Sequence, residues 1–176
     1  MDNHATTPCD PAVVDAMLPF LTNQFGNAAS RSHAFGWNAL DAVELARDQV
    51  GSLINATGKE IVWTSGATES NNLAIKGIAK YYERNNDGKT GHIITVLTEH
   101  KAVLDTVEAL EKEGASVSYI DVDHNGMINL ESFKNALQPT TVLVAIMWVN
   151  NETGVIQDID TLSKIAFEHN IPFLCD

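Results

Sequence analysis

Thr64-Ser65-Gly66-Ala67-Thr68-Glu69-Ser70-Asn71-Asn72 separates two contrasting patterns. Ahead of it, Ile61-Val62-Trp63 is β-branched and aromatic, which predicts a strand over 60–64. After it, from Leu73 to Tyr82, apolar residues return three and four apart, which predicts an amphipathic helix over 68–84. The polar stretch is therefore a strand-to-helix turn. Gly66 is expected to supply backbone freedom, with small residues around it leaving the amides uncovered. The first amides of the helix have no intrahelical acceptor and sit at the positive end of its dipole. Two readings of the turn stay open. It holds a phosphate through the Ala67 and Thr68 N–H groups and the Thr68 hydroxyl. Alternatively, Ser65 or Thr68 simply caps the helix, with Glu69 or Asn71 completing the turn.

The chain has 176 residues, 44% of them apolar and 19% charged, enough for one α/β domain with a substantial core. Its formal net charge of -12 argues against nucleic acid or an anionic membrane as partner, since both need a basic face. No stretch approaches the roughly 20 apolar residues of a membrane span, and the N-terminus lacks the layout of a secretory signal. Cys9 and Cys175 form no metal or redox spacing, so a cytoplasmic, reducing setting is expected.

In chain order, Asp10-Pro11 opens a helix whose apolar face is Val13, Val14, Met17 and Leu18 and which Pro19 bends or shortens. Residues 25–30 read as a loop, and a long amphipathic helix follows over 32–56. From residue 60, strands and helices alternate. Strands are expected at 60–64, 92–97, 117–120, 141–147 and 171–175. Helices are expected at 68–84, 101–113, 130–137 and 158–169. This alternation implies right-handed crossovers and a mainly parallel sheet with helices on both faces. Ligands bind such sheets beyond the carboxyl ends of the strands. Ala67-Thr68, His100, Asn151 and Asp176 each follow an apolar strand, so all four should gather on one rim. A phosphate cradle, an imidazole, an amide and a carboxylate suit a flat, charged, phosphorylated cofactor. Residues 1–56 read as an N-terminal helical segment and 57–176 as the α/β, cofactor-binding portion.

With these residues placed, the chain resembles the cysteine desulfurases, enzymes of the class V aminotransferase superfamily with the fold type I large domain. The resemblance is carried by Asp2-Asn3-His4-Ala5-Thr6-Thr7-Pro8, by Phe25 to His33, and by Thr64 to Asn72. Thr98-Glu99-His100-Lys101-Ala102-Val103-Leu104 and Val149-Asn150-Asn151-Glu152-Thr153-Gly154 complete it. It implies pyridoxal 5'-phosphate as cofactor. Ala67 and Thr68 would hold the phosphate, His100 would stack on the ring, Asn151 would bond the ring hydroxyl, and Asp176 would face the pyridine nitrogen. His100 is thereby the implied catalytic residue. The implied reaction takes sulfur from L-cysteine, leaves L-alanine, and passes a persulfide on for iron–sulfur cluster assembly or thiolation. A homodimer and a sulfur-accepting or iron–sulfur scaffold protein are the implied partners. Where the family often has histidine before its Val-Asn-Asn, this chain has Trp148.

The family's Ser-x-His-Lys lysine, sulfur-accepting cysteine, substrate-binding arginine and small C-terminal domain have no counterpart here. The expectation is an incomplete large domain, inactive alone. Lys101 reads as a solvated helix residue, and Cys9 and Cys175 as incidental thiols. The alternatives are a selenocysteine lyase or another class V relative, a non-catalytic scaffold, and a dinucleotide-binding domain. No G-x-G-x-x-G or Walker A pattern supports the last of these. Asp121 to Asn129 imitates a calcium loop, but its twelfth position is Ser132, so it reads as a plain connection.

Overall fold

The computed structural model describes residues 6–176 in two compact units, one ending at Trp63 and the other spanning Thr64–Asp176. The Asp2-Asn3-His4-Ala5 part of the resemblance lies outside the described residues.

In the first unit, helix α1 (Pro11–Thr22) is capped by Asp10, whose carboxylate accepts the Ala12 N–H, with Pro11 in the first turn. Pro19 does not shorten it. The helix runs on to Thr22, with the Thr22 hydroxyl donating to the Leu18 carbonyl. None of its residues is buried, so the expected apolar face faces no core among the described residues. Helix α2 (Ala34–Leu53) begins two residues later than expected, because His33 is its cap: Nδ1 accepts the Gly36 N–H.

The predicted strand over 60–64 is absent. Gly58–Glu60 forms a 3-10 turn, Ile61 is extended, and no strand forms between that turn and Ala67. Arg47 of α2 holds this segment instead. Its guanidinium donates to the Ile61 carbonyl and lies 5.7 Å from the centroid of the Trp63 ring. β-branched residues favour extended backbone, but a strand also requires a neighbour.

The second unit follows the expected alternation. Helix α3 (Ala67–Asn85) leads to β1 (His92–Val96), α4 (Lys101–Lys112) and β2 (Ser116–Ile120). Helix α5 (Leu130–Ala136), β3 (Thr141–Ala145), α6 (Ile159–Glu168) and β4 (Phe173–Leu174) complete it. Strands β1, β3 and β4 are shorter than the runs that predicted them, and β2 starts one residue earlier than expected. The sheet is wholly parallel, in the order β2-β1-β3-β4, with His92 opposite Ser116 on one side and Thr141 on the other. Every residue of β1 and β3 is buried, as expected of strands covered on both faces. One face packs Ile93, Leu143 and Ala145 against Ile75 of α3 and Val103 and Val107 of α4. The other packs Ile94, Val144 and Ile146 against Phe133 of α5 and Leu162 and Ala166 of α6.

His92 is a fully buried polar residue at the start of β1, an inner strand of this sheet. Its Nδ1 lies 2.8 Å from the Thr141 hydroxyl and its Nε2 2.9 Å from the Ser118 hydroxyl, so the imidazole bridges three strands. Burial depresses its pKa below the ordinary value of 6.5. The unfolded chain therefore takes up this proton more readily than the folded one, and His92 favours unfolding as pH falls below about 6.5. We expect the wild-type midpoint of urea unfolding, taken relative to that of His92→Gln, to drop between pH 7 and pH 5. That variant keeps polar atoms and removes the titration.

Candidate active site

In a parallel sheet every strand delivers its carboxyl end to the same edge, and three of the expected residues follow such ends. His100 lies four residues beyond β1, Asn151 six beyond β3 and Asp176 two beyond β4. Ala67 and Thr68 arrive by another route, since no strand precedes them. Near their carboxyl ends, α3 and α4 lie side by side, where Lys80 of α3 pairs with Glu113 at 3.2 Å. Helix α4 starts from the carboxyl edge of β1 and α3 packs alongside it, so both helices open at that edge.

The beginning of α3 is open. Its cap is Gly66, with no side chain bonded to the first amides. Ser70 is the first residue whose N–H reaches back along the helix, to the Gly66 carbonyl at 3.1 Å. Of the two capping alternatives, neither Ser65 nor Thr68 closes the end. Glu69 instead turns back, accepting the Ser65 N–H at 2.7 Å and its hydroxyl at 2.6 Å. Those bonds, the hydroxyl first, hold the Glu69 carboxyl below the usual carboxylate range. Of the two expectations at Gly66, backbone freedom and uncovered amides, the second is the one met. The Gly66 φ of 162° and ψ of 179° are extended backbone. A Cβ there would meet nothing within 4 Å, so the glycine keeps an approach to the amides open.

His100 is the cap of α4, with Nδ1 accepting the Ala102 N–H at 3.1 Å. In the neutral ring this leaves the proton on Nε2. The imidazole is thus oriented by its own helix while the residue stays exposed. Asn151 is half-buried and Asp176 exposed.

Sequence reasoning missed two residues that join these loops. Asn150 is buried and fully used: Nδ2 donates to the Thr98 carbonyl at 2.8 Å. Oδ1 accepts the N–H groups of Glu152 and Thr153 and the Thr153 hydroxyl, at 2.8–3.0 Å. It therefore shapes the turn that carries Asn151 and ties that turn to the one carrying His100. Glu99 is only 7% exposed. Its Oε1 accepts the Met147 N–H at 2.7 Å, and its Oε2 is buried without a partner among the described residues. Burial pushes the Glu99 pKa up to about 7. The Met147 N–H opposes that rise, and the nearby Asp176 charge adds to it. An acidic residue before a helix ordinarily reads as a cap, which hid it. Burial and the carboxylates Glu99 and Asp176 also push the Cys175 thiol up, making it a poor nucleophile.

The calcium-like loop is structural. Asp123 Oδ1 accepts the N–H groups of Asn125 and Met127, and Gln157 clamps the loop through the Ile128 N–H and the Gly126 carbonyl. No group of three potential metal ligands occurs among the described residues, and no helix there is long and apolar enough to cross a membrane.

The donor set at this edge is mixed. The uncapped amides and the exposed Thr68 hydroxyl suit an anion, the carboxylate of Asp176 suits a protonated ring nitrogen, and His100 and Asn151 suit a flat polar ring. These residues fit pyridoxal phosphate.

Comparison with known proteins agrees with that chemistry. A protein named Cysteine desulfurase IscS from Dechloromonas aromatica (strain RCB) is 57% identical over 176 residues, 100% of this chain and 43% of the relative. One of the same name from Methylobacillus flagellatus is 56% identical with the same coverage. The chain thus spans under half the length of these relatives. Among solved structures, a NifS-like protein superposes with a TM-score of 0.92 at 37% identity, over 99% of this chain and 47% of its own. A structure described as SspA in complex with cysteine superposes with a TM-score of 0.91 at 40% identity, over 99% and 49%. The aminotransferase class-V pattern matches residues 1–176. A sheet of this order with these helices, matched over its whole length, makes the chain a member of the aminotransferase class-V family.

Proposed function

We propose that this chain is the cofactor-binding portion of a cytoplasmic, pyridoxal-phosphate-dependent cysteine desulfurase. The whole protein would remove sulfur from L-cysteine, leave L-alanine and pass the sulfur to an iron–sulfur scaffold or thiolation acceptor. It would work as a homodimer. What supports the reading is that the first α3 amides are uncapped and that the turns bearing His100, Asn151 and Asp176 all follow strands of one parallel sheet, two of them tied by Asn150. The naming of relatives as cysteine desulfurases supports the substrate.

When bound there, pyridoxal phosphate supplies an electron sink for the amino-acid carbon. The chain's own residues do the rest. Ala67 and Thr68 hold the phosphate by N–H donors and a hydroxyl, with the α3 dipole favouring its charge. Asp176 keeps a proton on the ring nitrogen. His100, fixed through Nδ1, offers its ring face, and Asn151 offers an amide to the ring oxygen.

The test is spectroscopic. Titrating the 176-residue chain with pyridoxal phosphate should produce a shifted ring absorbance that saturates. Thr68→Ala should weaken binding roughly 3- to 10-fold, the loss of about one hydrogen bond. A ring spectrum unchanged at saturating protein overturns the reading and favours the non-catalytic scaffold.

A further inference from the structure

We propose that Glu99 is a positioning residue for Asp176: it is the proton-bearing member of a carboxyl pair whose single negative charge is kept on Asp176, at the open rim. The functional meaning of the pair rests on the reading of Asp176 as the carboxylate that faces the cofactor's ring nitrogen.

The argument begins with placement. Glu99 lies at the exit of β1 and is almost wholly buried, whereas Asp176, beyond β4, is exposed. Where two carboxylates feel one another with no nearby cation, the charge on one raises the cost of ionising the other. No ion pair among the described residues includes either of them. Three groups face Glu99 from the elements packed beside it. Asp176 and Cys175 come from the β4 exit, and the Met147 N–H comes from the β3 exit. Of these, the Asp176 carboxylate repels an ionised Glu99, Cys175 is a neutral thiol that offers it no compensating charge, and the amide stabilises only one of its oxygens. The other, Oε2, is buried without a donor, an arrangement that penalises a carboxylate there. The proton therefore goes to the buried partner and the charge to the solvated one.

This division has a consequence for the site. A neutral Glu99 keeps its bond to Met147 and holds the exits of β1 and β3 together. An ionised Glu99 would press against Asp176 and against the apolar end of the sheet. The residue beside His100 thus fixes where the negative charge of the rim resides.

The experiment is a carbon-13 titration of the side-chain carboxyls of the full 176-residue chain, without cofactor. The Glu99 signal is identified by its loss in Glu99→Gln, or in Glu99→Asp if the first variant fails to fold. We expect Glu99 to titrate at about 7, far above an ordinary glutamate. Asp176→Asn should move that midpoint down, because it removes the side-chain charge that repels Glu99. The sign also fixes a stability profile. The folded chain holds the Glu99 proton more tightly than the unfolded one, so this contribution is present at low pH and is lost as pH rises through about 7. Relative to Glu99→Gln, the wild-type folding constant should fall on the order of a hundred-fold between pH 4 and pH 8. A Glu99 midpoint in the ordinary carboxylate range, or one unmoved by Asp176→Asn, overturns the proposal. Neither measurement needs pyridoxal phosphate. A chain that titrates as expected but fails to bind the cofactor would leave the pair standing and sink the functional reading alone.

Discussion

Phe133→Ala is expected to destabilise the second unit by about 3–5 kcal/mol, the usual cost of emptying a fully buried aromatic site. Phe133 is 0% exposed and is the only buried residue of α5, a helix of seven residues. It packs against Ile94, Val144 and Ile146 of the sheet and Leu162 of α6. Helix α5 is too short to persist without that anchor. The cavity would therefore be compounded by loosening of the helix, which Asn129 caps through the Ser132 N–H. A domain of this size has only about 5–15 kcal/mol of net stability, so the loss is a large share of the total. Denaturation in urea, monitored by circular dichroism, measures it. A loss below about 1 kcal/mol would mean that α5 contributes little to the core. Phe133→Leu, which keeps most of the volume, should cost less than half as much.

Asn150→Ala is expected to cost about 2–4 kcal/mol and to loosen the turn that carries Asn151. The substitution leaves the Thr98 carbonyl without its donor and the Glu152 and Thr153 N–H groups without their acceptor. A buried orphan costs roughly 1–3 kcal/mol, and the more exposed of these groups recover part of that from water. Asn150→Asp separates the two halves of the effect. It retains an acceptor for the turn and loses the donor to Thr98, so the turn should persist while its tie to the β1 exit breaks. Hydrogen exchange over residues 151–154 distinguishes the cases: fast in the alanine variant, close to wild type in the aspartate variant. Equal protection in all three proteins would show that other bonds define the turn. The backbone pair from the Asn150 N–H to the Val155 carbonyl is the first alternative.

These two residues mark the limit of what the amino-acid order discloses. The buried strands were legible because β1 and β3 are continuous apolar runs, and a run covered on both faces needs no alternation. The caps at Asp10 and Asp158 were legible because an N-cap is a local contact between near neighbours. Ile61-Val62-Trp63 misled for the opposite reason. Strand status is a relation to another strand, and these residues are held by Arg47 instead. Gly66 was placed correctly in the turn, where its expected openness holds while its backbone is simply extended. His100 and Asn151 stood out as polar groups after apolar strands, and their separate roles came only through the family resemblance. Asn150 and Glu99 were hidden because their partners, Thr98 and Met147, lie 52 and 48 residues away in the sequence. No periodicity reports a bond of that span. The Asn-Asn doublet was the one available hint, and it pointed as readily to an ordinary turn.

The order of the sheet bears on how the chain is made. Its middle strand, β1, leaves the ribosome before either neighbour, and β2 begins twenty residues after Val96. At roughly 5–20 residues per second, Ile93, Ile94 and Val96 wait one to several seconds for the first strand that can pair with them. Their second neighbour, β3, starts only at Thr141. Helix α4 emerges in that interval with Val103, Val107 and Leu110 along one side, ready to cover half of the exposed ribbon. Synthesis from the centre outward thus makes an early-forming helix the temporary shield of the nascent sheet.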